Sequence, residues 1–356
     1  MKKVYIIGKE SLLSGIGVIT CDLLCACLYA KENNLIPIID MQHYQNPYLK
    51  ENRIYKDNAW EYFFKQPSKY CLNDIKEDDE VIIGNLEQIK HANLFYTTEW
   101  IPVSPKNENS IKKETRKNLK SFLYFSDETN NYILNTYNKI IGNKKNILGV
   151  LIRGTDYTER RTYKEDIQPK IKKVIKKIKE YRKMYPEIEY IYLATEDANI
   201  YNIIKKEFGD ILLDNNQKRY SYDKEKPFLL EIETERENNN YYLALEYLSS
   251  LYILSKCKYF IGGRNNGSRL AYIMQDSWQD FYIWQLGRYG KTIKEIIFSH
   301  VTKRVHNKDY KIYNFFGLQI KKEFKNTKSR NTKWKELQYL LITAKTTLLK
   351  IISFIL

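Results

Sequence analysis

Residues 146–161 read NILGVLIRGTDYTERR. The apolar run 147–152 has the length of a strand and is rich in β-branched residues. A run apolar on both faces belongs in the middle of a parallel sheet covered on both sides. It ends abruptly in Arg153, Gly154, Thr155 and Asp156. Open α/β sheets bind ligands at the carboxyl ends of strands, where the strand order reverses. A guanidinium held there can fork onto a phosphate. The same residues would also serve as a surface ion pair after a core strand, so the reading turns on the other strands.

Two more strands in this half end the same way. Residues 190–194 (YIYLA) end in Thr195, Glu196 and Asp197, and residues 258–261 (KYFI) run into the loop 262–268, GGRNNGS. A basic helix near 167–184, a helix near 200–208 and an amphipathic helix over 241–255 supply the alternation of a parallel sheet. The glycines and asparagines of 262–268 tolerate positive φ. A helix opening just behind them offers free N–H groups and the positive end of a dipole to an anion. Residues 282–290 read as one further strand and turn. Three strand ends carrying polar clusters in one half make a site the better reading than chance.

The first half opens as a βαβ unit: a strand at 3–8, Gly15 and Gly17 in a loop, a helix over 18–31, and a strand at 35–40 ending in Asp40. The third glycine of a dinucleotide fingerprint is absent, with Thr20 in its place, so the loop is a weak donor-binding signal. His43 and the polar-aromatic segments 43–48 and 58–64 follow Asp40 and suit the acceptor side. A short strand is expected at 81–84, and helical spacing runs through 111–141. The polar run Gly142-Asn143-Lys144-Lys145 marks an interdomain boundary. The segment 214–240 reads as a polar flap.

Composition sets the limits. With 356 residues, 43% of them hydrophobic, the chain can bury two cores. A net charge of +16 admits nucleic acid, an anionic membrane face or sugar nucleotides and selects none of them. The five cysteines form no Cys-x-x-Cys pair, and three of them, Cys21, Cys25 and Cys27, sit in one apolar segment. They read as small core residues in a reducing cytoplasm. The four histidines lack metal-ligand spacing. The acidic run 77–80 precedes a strand, so no acidic dyad at a strand end argues for a metal-bound diphosphate. No run reaches transmembrane length without charge. Residues 302–333 are dense in Lys and Arg, and 334–356 mix apolar and basic residues. That pairing suits an amphipathic helix on an anionic leaflet.

Three blocks resemble the motifs of the fucosyltransferase superfamily that contains the α1,2-, α1,6- and protein O-fucosyltransferases. They are GVLIRGTDY, IYLATEDANI and LEYLSSLYILSKCKYFIGGRNNGSRLAYIM, and the resemblance covers roughly 146–276. The segments IPIIDMQHY and NAWEYFF look more like bacterial surface-polysaccharide glycosyltransferases. The resemblance implies an α/β protein of GT-B architecture, two facing Rossmann-like domains with a basic amphipathic tail. It implies inverting transfer from a nucleotide-sugar, with GDP-fucose as the expected donor, without an obligatory metal or other cofactor. By motif position, Arg153 takes the donor β-phosphate and Asp156 is the motif acid. Thr195, Glu196 and Asp197 lie near the base or ribose, and Arg264, Asn265, Asn266 and Ser268 line the phosphates. The chain departs from the pattern at Leu151, where the family has His, and at Gly154, where it has a second Arg. That leaves GDP and fucose less strictly specified.

The chemistry agrees, because an inverting transferase needs a base for the acceptor hydroxyl and a cation or dipoles for the departing diphosphate. The base stays open among Asp156, Glu159, Glu10 and Asp40. The expected domains are 1–143 for the acceptor, 144–298 for the donor and 299–356 as a basic extension. The expected partners are a nucleotide-sugar, a glycan or lipid-linked glycan, and an anionic membrane surface through 334–356. The expected location is the cytoplasm or the inner face of a bacterial plasma membrane. Two other readings are a transferase using another nucleotide-sugar and a non-catalytic nucleic-acid binder.

Overall fold

The structure is a computed structural model. It describes residues 2–8, 14–50, 53, 56–84, 101–154, 161, 165–221, 230, 235–276, 278–290 and, for the backbone alone, 298–305, 308–315 and 318–324. Contacts divide the chain into two compact units, Met1–Gly287 and Arg288–Leu356.

The first unit holds two parallel sheets. Strands β1 (Lys3–Gly8), β2 (Ile36–Asp40) and β3 (Glu80–Ile83) pair in the order β2-β1-β3. Helix α1 (Ile16–Glu32) makes the first crossover, and α2 (Ala59–Phe63) follows β2. Cys21, Cys25 and Cys27 lie on buried positions of α1 as free thiols. Two helices, α3 (Ser110–Lys120) and α4 (Asp127–Ile140), lead to the second sheet. The helical spacing over 111–141 is therefore split. Ser126 caps α4 by accepting the Thr129 N–H at 3.2 Å and so starts a new helix.

The second sheet contains β4 (Ile147–Leu151), β5 (Tyr190–Ala194), β6 (Leu212–Leu213), β7 (Tyr259–Gly263) and β8 (Asp280–Trp284), in the order β6-β5-β4-β7-β8. Leu151 pairs with Ala194 on one side and with Gly262 on the other. The order reverses at β4, so the switch point lies at the carboxyl ends of β4 and β7. Every residue of β4 and β7 is buried, as a central parallel strand requires.

Helices α5 (Ile171–Met184) and α6 (Ala198–Phe208) cover one face of this sheet. Val174, Ile178 and Tyr181 of α5 meet Val150, Ile152 and Leu193, while the lysines of that helix stay on its outer side. The helix begins at Ile171, later than its expected start near 167. Helices α7 (Asn239–Lys256) and α8 (Asn266–Met274) cover the other face. Their core also takes in Tyr5, Ile7, the apolar face of α1, Trp60 and Phe63, so the two sheets share one interior. Burying a large apolar side chain such as these contributes about 1.5–3 kcal/mol.

The described strands of the second unit form a three-stranded antiparallel meander of β9 (Phe298–Val305), β10 (Lys308–Phe315) and β11 (Leu318–Phe324), in the order β11-β10-β9. The sequence marks 299–356 as a basic extension; the described part of it is strand. The expected membrane-binding segment 334–356 lies outside the described residues.

Candidate functional site

The site grows from the end of β4. Arg153 stands two residues past Leu151, with its side chain 18% exposed and its Nη1 3.3 Å from Oε1 of Glu196. The same Glu196 oxygen accepts the Gly154 N–H at 3.2 Å. One carboxylate from the end of β5 therefore holds both the guanidinium and the backbone of the β4 end. Bonds between charged groups of this kind are stronger than neutral ones.

The other members of the β5 end are used locally. Asp197 caps α6 by accepting the Ile200 N–H at 2.9 Å. Thr195 is buried; its hydroxyl oxygen accepts the Asp197 N–H at 3.3 Å, and its carbonyl accepts Gln217 Nε2 at 2.9 Å. A Cβ on Gly154 would come within 2.4 Å of Asp197 Oδ2. The close approach of the α6 cap excludes a side chain where the family pattern carries its second arginine. Leu151, in the place of the motif His, is buried in the core.

The end of β7 is built as tightly. Arg264, Asn265 and Ser268 are all at most 4% exposed. Asn265 caps α8 by accepting the Ser268 N–H at 3.0 Å, and its amide donates to Gln168 Oε1 at 3.1 Å. Gln168 donates in turn to the Arg264 carbonyl at 2.7 Å, and the Ser268 hydroxyl donates to the Gly263 carbonyl at 2.6 Å. Arg269 reaches Asn266 Oδ1 at 2.8 Å and Asp166 at 3.3 Å. Asn265 and Ser268 thus hold the turn together. The half-buried Asn266 opens α8 just past this turn. Gln168 and Asp166 went unnoticed in the sequence; the only local signal was a polar pair just before Pro169.

The glycine loop of the first sheet meets this turn through Tyr247. A Cβ on Gly17 would lie 2.9 Å from the Tyr247 hydroxyl, and one on Gly267 would lie 2.7 Å from it. Close packing against α7 is what Gly17 provides. Gly15 has open space around it, and its carbonyl accepts the Val18 and Ile19 N–H groups that open α1. Across the same seam, Cys21 Sγ contacts the Asn266 carbonyl at 3.9 Å.

On the first sheet, Asp40 is 5% exposed at the end of β2. One of its oxygens accepts the N–H groups of Gln42 and His43, at 2.9 and 3.0 Å, and the other lies 2.9 Å from His43 Nδ1. Tyr48 donates its hydroxyl to the Ser14 carbonyl at 3.4 Å. Burial raises the Tyr48 phenol well above its ordinary pKa, which keeps it a donor. Thr155, Asp156, Glu159 and Glu10 lie outside the described residues, as do 222–229 and 231–234 of the 214–240 flap. The start of that flap is anchored by the Arg219–Asp214 ion pair at 2.8 Å and by a bridge between Asp197 and Tyr220.

Among the described residues no cluster of three or more His, Cys, Asp or Glu is placed to hold a metal ion. No described helix is long and apolar enough to cross a membrane. A cavity of about 370 Å³ at the C-terminal ends of α7 and α8 is lined by Lys120, Tyr124, Tyr252, Lys256 and Asp276, among others.

No protein-family model and no curated protein matches the chain. Solved structures similar to it include the fucosyltransferase NodZ from Bradyrhizobium, 15% identical, covering 77% of this chain and 94% of that one with a TM-score of 0.44. A variant of Arabidopsis thaliana FUT1 in complex with GDP is 10% identical, covering 78% and 69%, with a TM-score of 0.41. POFUT1 in complex with GDP-fucose is 9% identical, covering 80% and 98%, with a TM-score of 0.41. The chemistry of the site rests on its own geometry.

Proposed function

We propose that this protein is an inverting GT-B glycosyltransferase that moves a sugar, fucose from GDP-fucose, onto a glycan acceptor. The observation that carries the reading is Arg153 at the carboxyl end of β4, at the switch point of a doubly wound sheet and aimed by Glu196. In transfer, the acceptor hydroxyl attacks the anomeric carbon and the bond to the donor diphosphate breaks. Arg153 and the amides at the start of α8 would meet the charge that develops on the leaving oxygen. Residues 1–143 would then serve the acceptor and 144–298 the donor. The nearest alternative is the same reaction with another nucleotide-sugar, since Gly154 removes one cation of the family pattern.

The IPIIDMQHY and NAWEYFF segments support a place in bacterial surface-polysaccharide assembly, in capsule or lipopolysaccharide. The composition of 334–356 supports peripheral attachment at the inner face of the plasma membrane. The test is turnover with a panel of GDP- and UDP-sugars and glycan acceptors. Transfer from one of them supports the reading; an absence of both turnover and nucleotide-sugar binding contradicts it.

A further inference from the structure

The cavity of about 370 Å³ lies where the turn between α3 and α4 meets the last residues of α7 and α8. Small-molecule sites run from about 300 to 1,000 Å³, so a compact organic molecule fits. The cavity is a different place from the strand-end site. Lys256 closes α7, and the chain then enters the amino end of β7, whereas Arg153 stands past the carboxyl end of the neighbouring β4. The five residues of β7, at about 3.3 Å each, separate the two ends.

The lining has a definite chemistry. Tyr124 is 57% exposed, and its ring and hydroxyl have no partner among the described residues. The half-buried Asn130 amide and Tyr252 hydroxyl likewise have none. Phe125 lies edge-on to the Tyr252 ring at 6.3 Å, and Leu123 and Met274 add apolar surface. The charged groups are already matched. Lys65 pairs with Asp127 at 2.7 Å, and Lys120 and Lys256 both pair with Asp276. A nucleotide or a phosphate would have to break into these pairs to find a counter-charge. What is left unmet is neutral: two hydroxyls and an amide, able to donate and accept, set among aromatic and aliphatic surface. An aliphatic ligand would leave those groups without partners. A pyranose ring matches both features, with hydroxyls round its edge and C–H groups that meet the negative face of an aromatic ring.

We propose that this cavity binds a saccharide unit without acting on it, as a second glycan site apart from the one that transfer requires. Tyr124 supplies the stacking ring, and Asn130 and the Tyr252 hydroxyl bond the sugar hydroxyls. The Lys120–Asp276–Lys256 group ties the ends of α3, α7 and α8 together around the cavity. The inference rests on residues other than those of the strand-end site, so it stands or falls separately from the glycosyl-transfer reading.

The experiment titrates the full-length protein, with and without GDP, with cellotetraose, maltotetraose, chitotetraose and a hyaluronan tetrasaccharide. Binding is read by saturation-transfer NMR and calorimetry. Tyr124→Ala, Tyr124→Phe, Asn130→Ala and Arg153→Ala are titrated alongside, with circular dichroism to confirm each fold. At least one of the three neutral chains should bind the wild-type protein, whether GDP is present or not. Tyr124→Ala should weaken that binding by at least about tenfold, the loss expected when a packed side chain is removed. Tyr124→Phe should keep most of it, Asn130→Ala should weaken it, and Arg153→Ala should bind as the wild type does. Failure of all four chains to bind, equal affinity in the wild type and Tyr124→Ala, or binding that GDP or Arg153→Ala abolishes would overturn the proposal. Binding of the hyaluronan chain alone, unmoved by Tyr124→Ala, would mark a contact with the lysines and overturn it as well.

Discussion

The Arg153 guanidinium and the Glu196 carboxylate stand 3.3 Å apart at the ends of neighbouring strands, and Glu196 also accepts the Gly154 N–H. A single acidic side chain thereby fixes both the direction of the cation and the path of the chain behind it. Arg153→Ala should lower transfer by about 10²- to 10³-fold, the usual loss on removing one group that stabilises a leaving oxygen. Arg153→Lys should rescue little, because an ammonium lacks the planar fork. Steady-state kinetics, with circular dichroism to confirm the fold, checks both. Arg153→Ala with wild-type kcat/KM would take this residue out of the mechanism.

Gly154→Ala should be costly although it adds one methyl group. The new Cβ would meet the Asp197 carboxylate that caps α6. Overpacking of this kind costs about 1–3 kcal/mol. Asp197→Ala should cost about 1 kcal/mol through loss of the cap alone. Urea denaturation of both variants tests the assignment, and two unchanged midpoints would contradict it.

The two glycines before α1 should part company. Gly17→Ala should destabilise the protein, again by about 1–3 kcal/mol, because Tyr247 fills the space. Gly15→Ala meets nothing within 4 Å and has an ordinary φ of −62°, so it should be silent in stability. If the loop touches the donor, Gly15→Ala should still weaken nucleotide binding. Melting curves and nucleotide titrations on the pair separate packing from binding. A destabilised Gly15→Ala beside an unaffected Gly17→Ala would reverse the assignment.

Asp276 links α3 to the ends of α7 and α8 through Lys120 and Lys256. Hydrogen bonds from Lys120 first, and from Lys256 next, lower its carboxyl pKa from 3.8 to about 2. A carboxyl whose pKa falls on folding adds stability that is full above pH 3.8 and is lost as the pH drops toward 2. The group is 54% exposed, so solvent screening keeps the effect to about 1 kcal/mol or less. Asp276→Asn should flatten that acid limb of the stability curve and do little at pH 7 beyond removing this small contribution. An unchanged acid limb would contradict the pairing.

Much of the parallel architecture was legible because buried strands announce themselves. The runs at β4, β5 and β7 are apolar, of strand length, and end in polar residues where the chain leaves the sheet. The break between α3 and α4 was hidden because helical spacing is found on both sides of it; Ser126 is the cap that marks the new start. The meander β9–β11 was hidden by its lysines and arginines, although Tyr310, Ile312 and Tyr313 are strand-forming residues. Within the site, the pairing of Arg153 with Glu196 joins residues 43 positions apart, and only the sheet register reveals it. Tyr247 reads as one more apolar residue of an amphipathic helix until two glycines are seen to make room for its hydroxyl. Asn265 and Ser268, expected to line the phosphates, also tie the turn, and Gln168 is the unforeseen partner of Asn265.

The most direct test of the central claim is calorimetric titration of GDP into the wild-type protein and into Arg153→Ala. The account predicts a single site on the wild-type protein, at least about tenfold weaker in the variant, since a lost charge-assisted bond of about 1.5–3 kcal/mol corresponds to that factor or more. Equal affinity in the two proteins, or no binding to the wild-type protein, would contradict it.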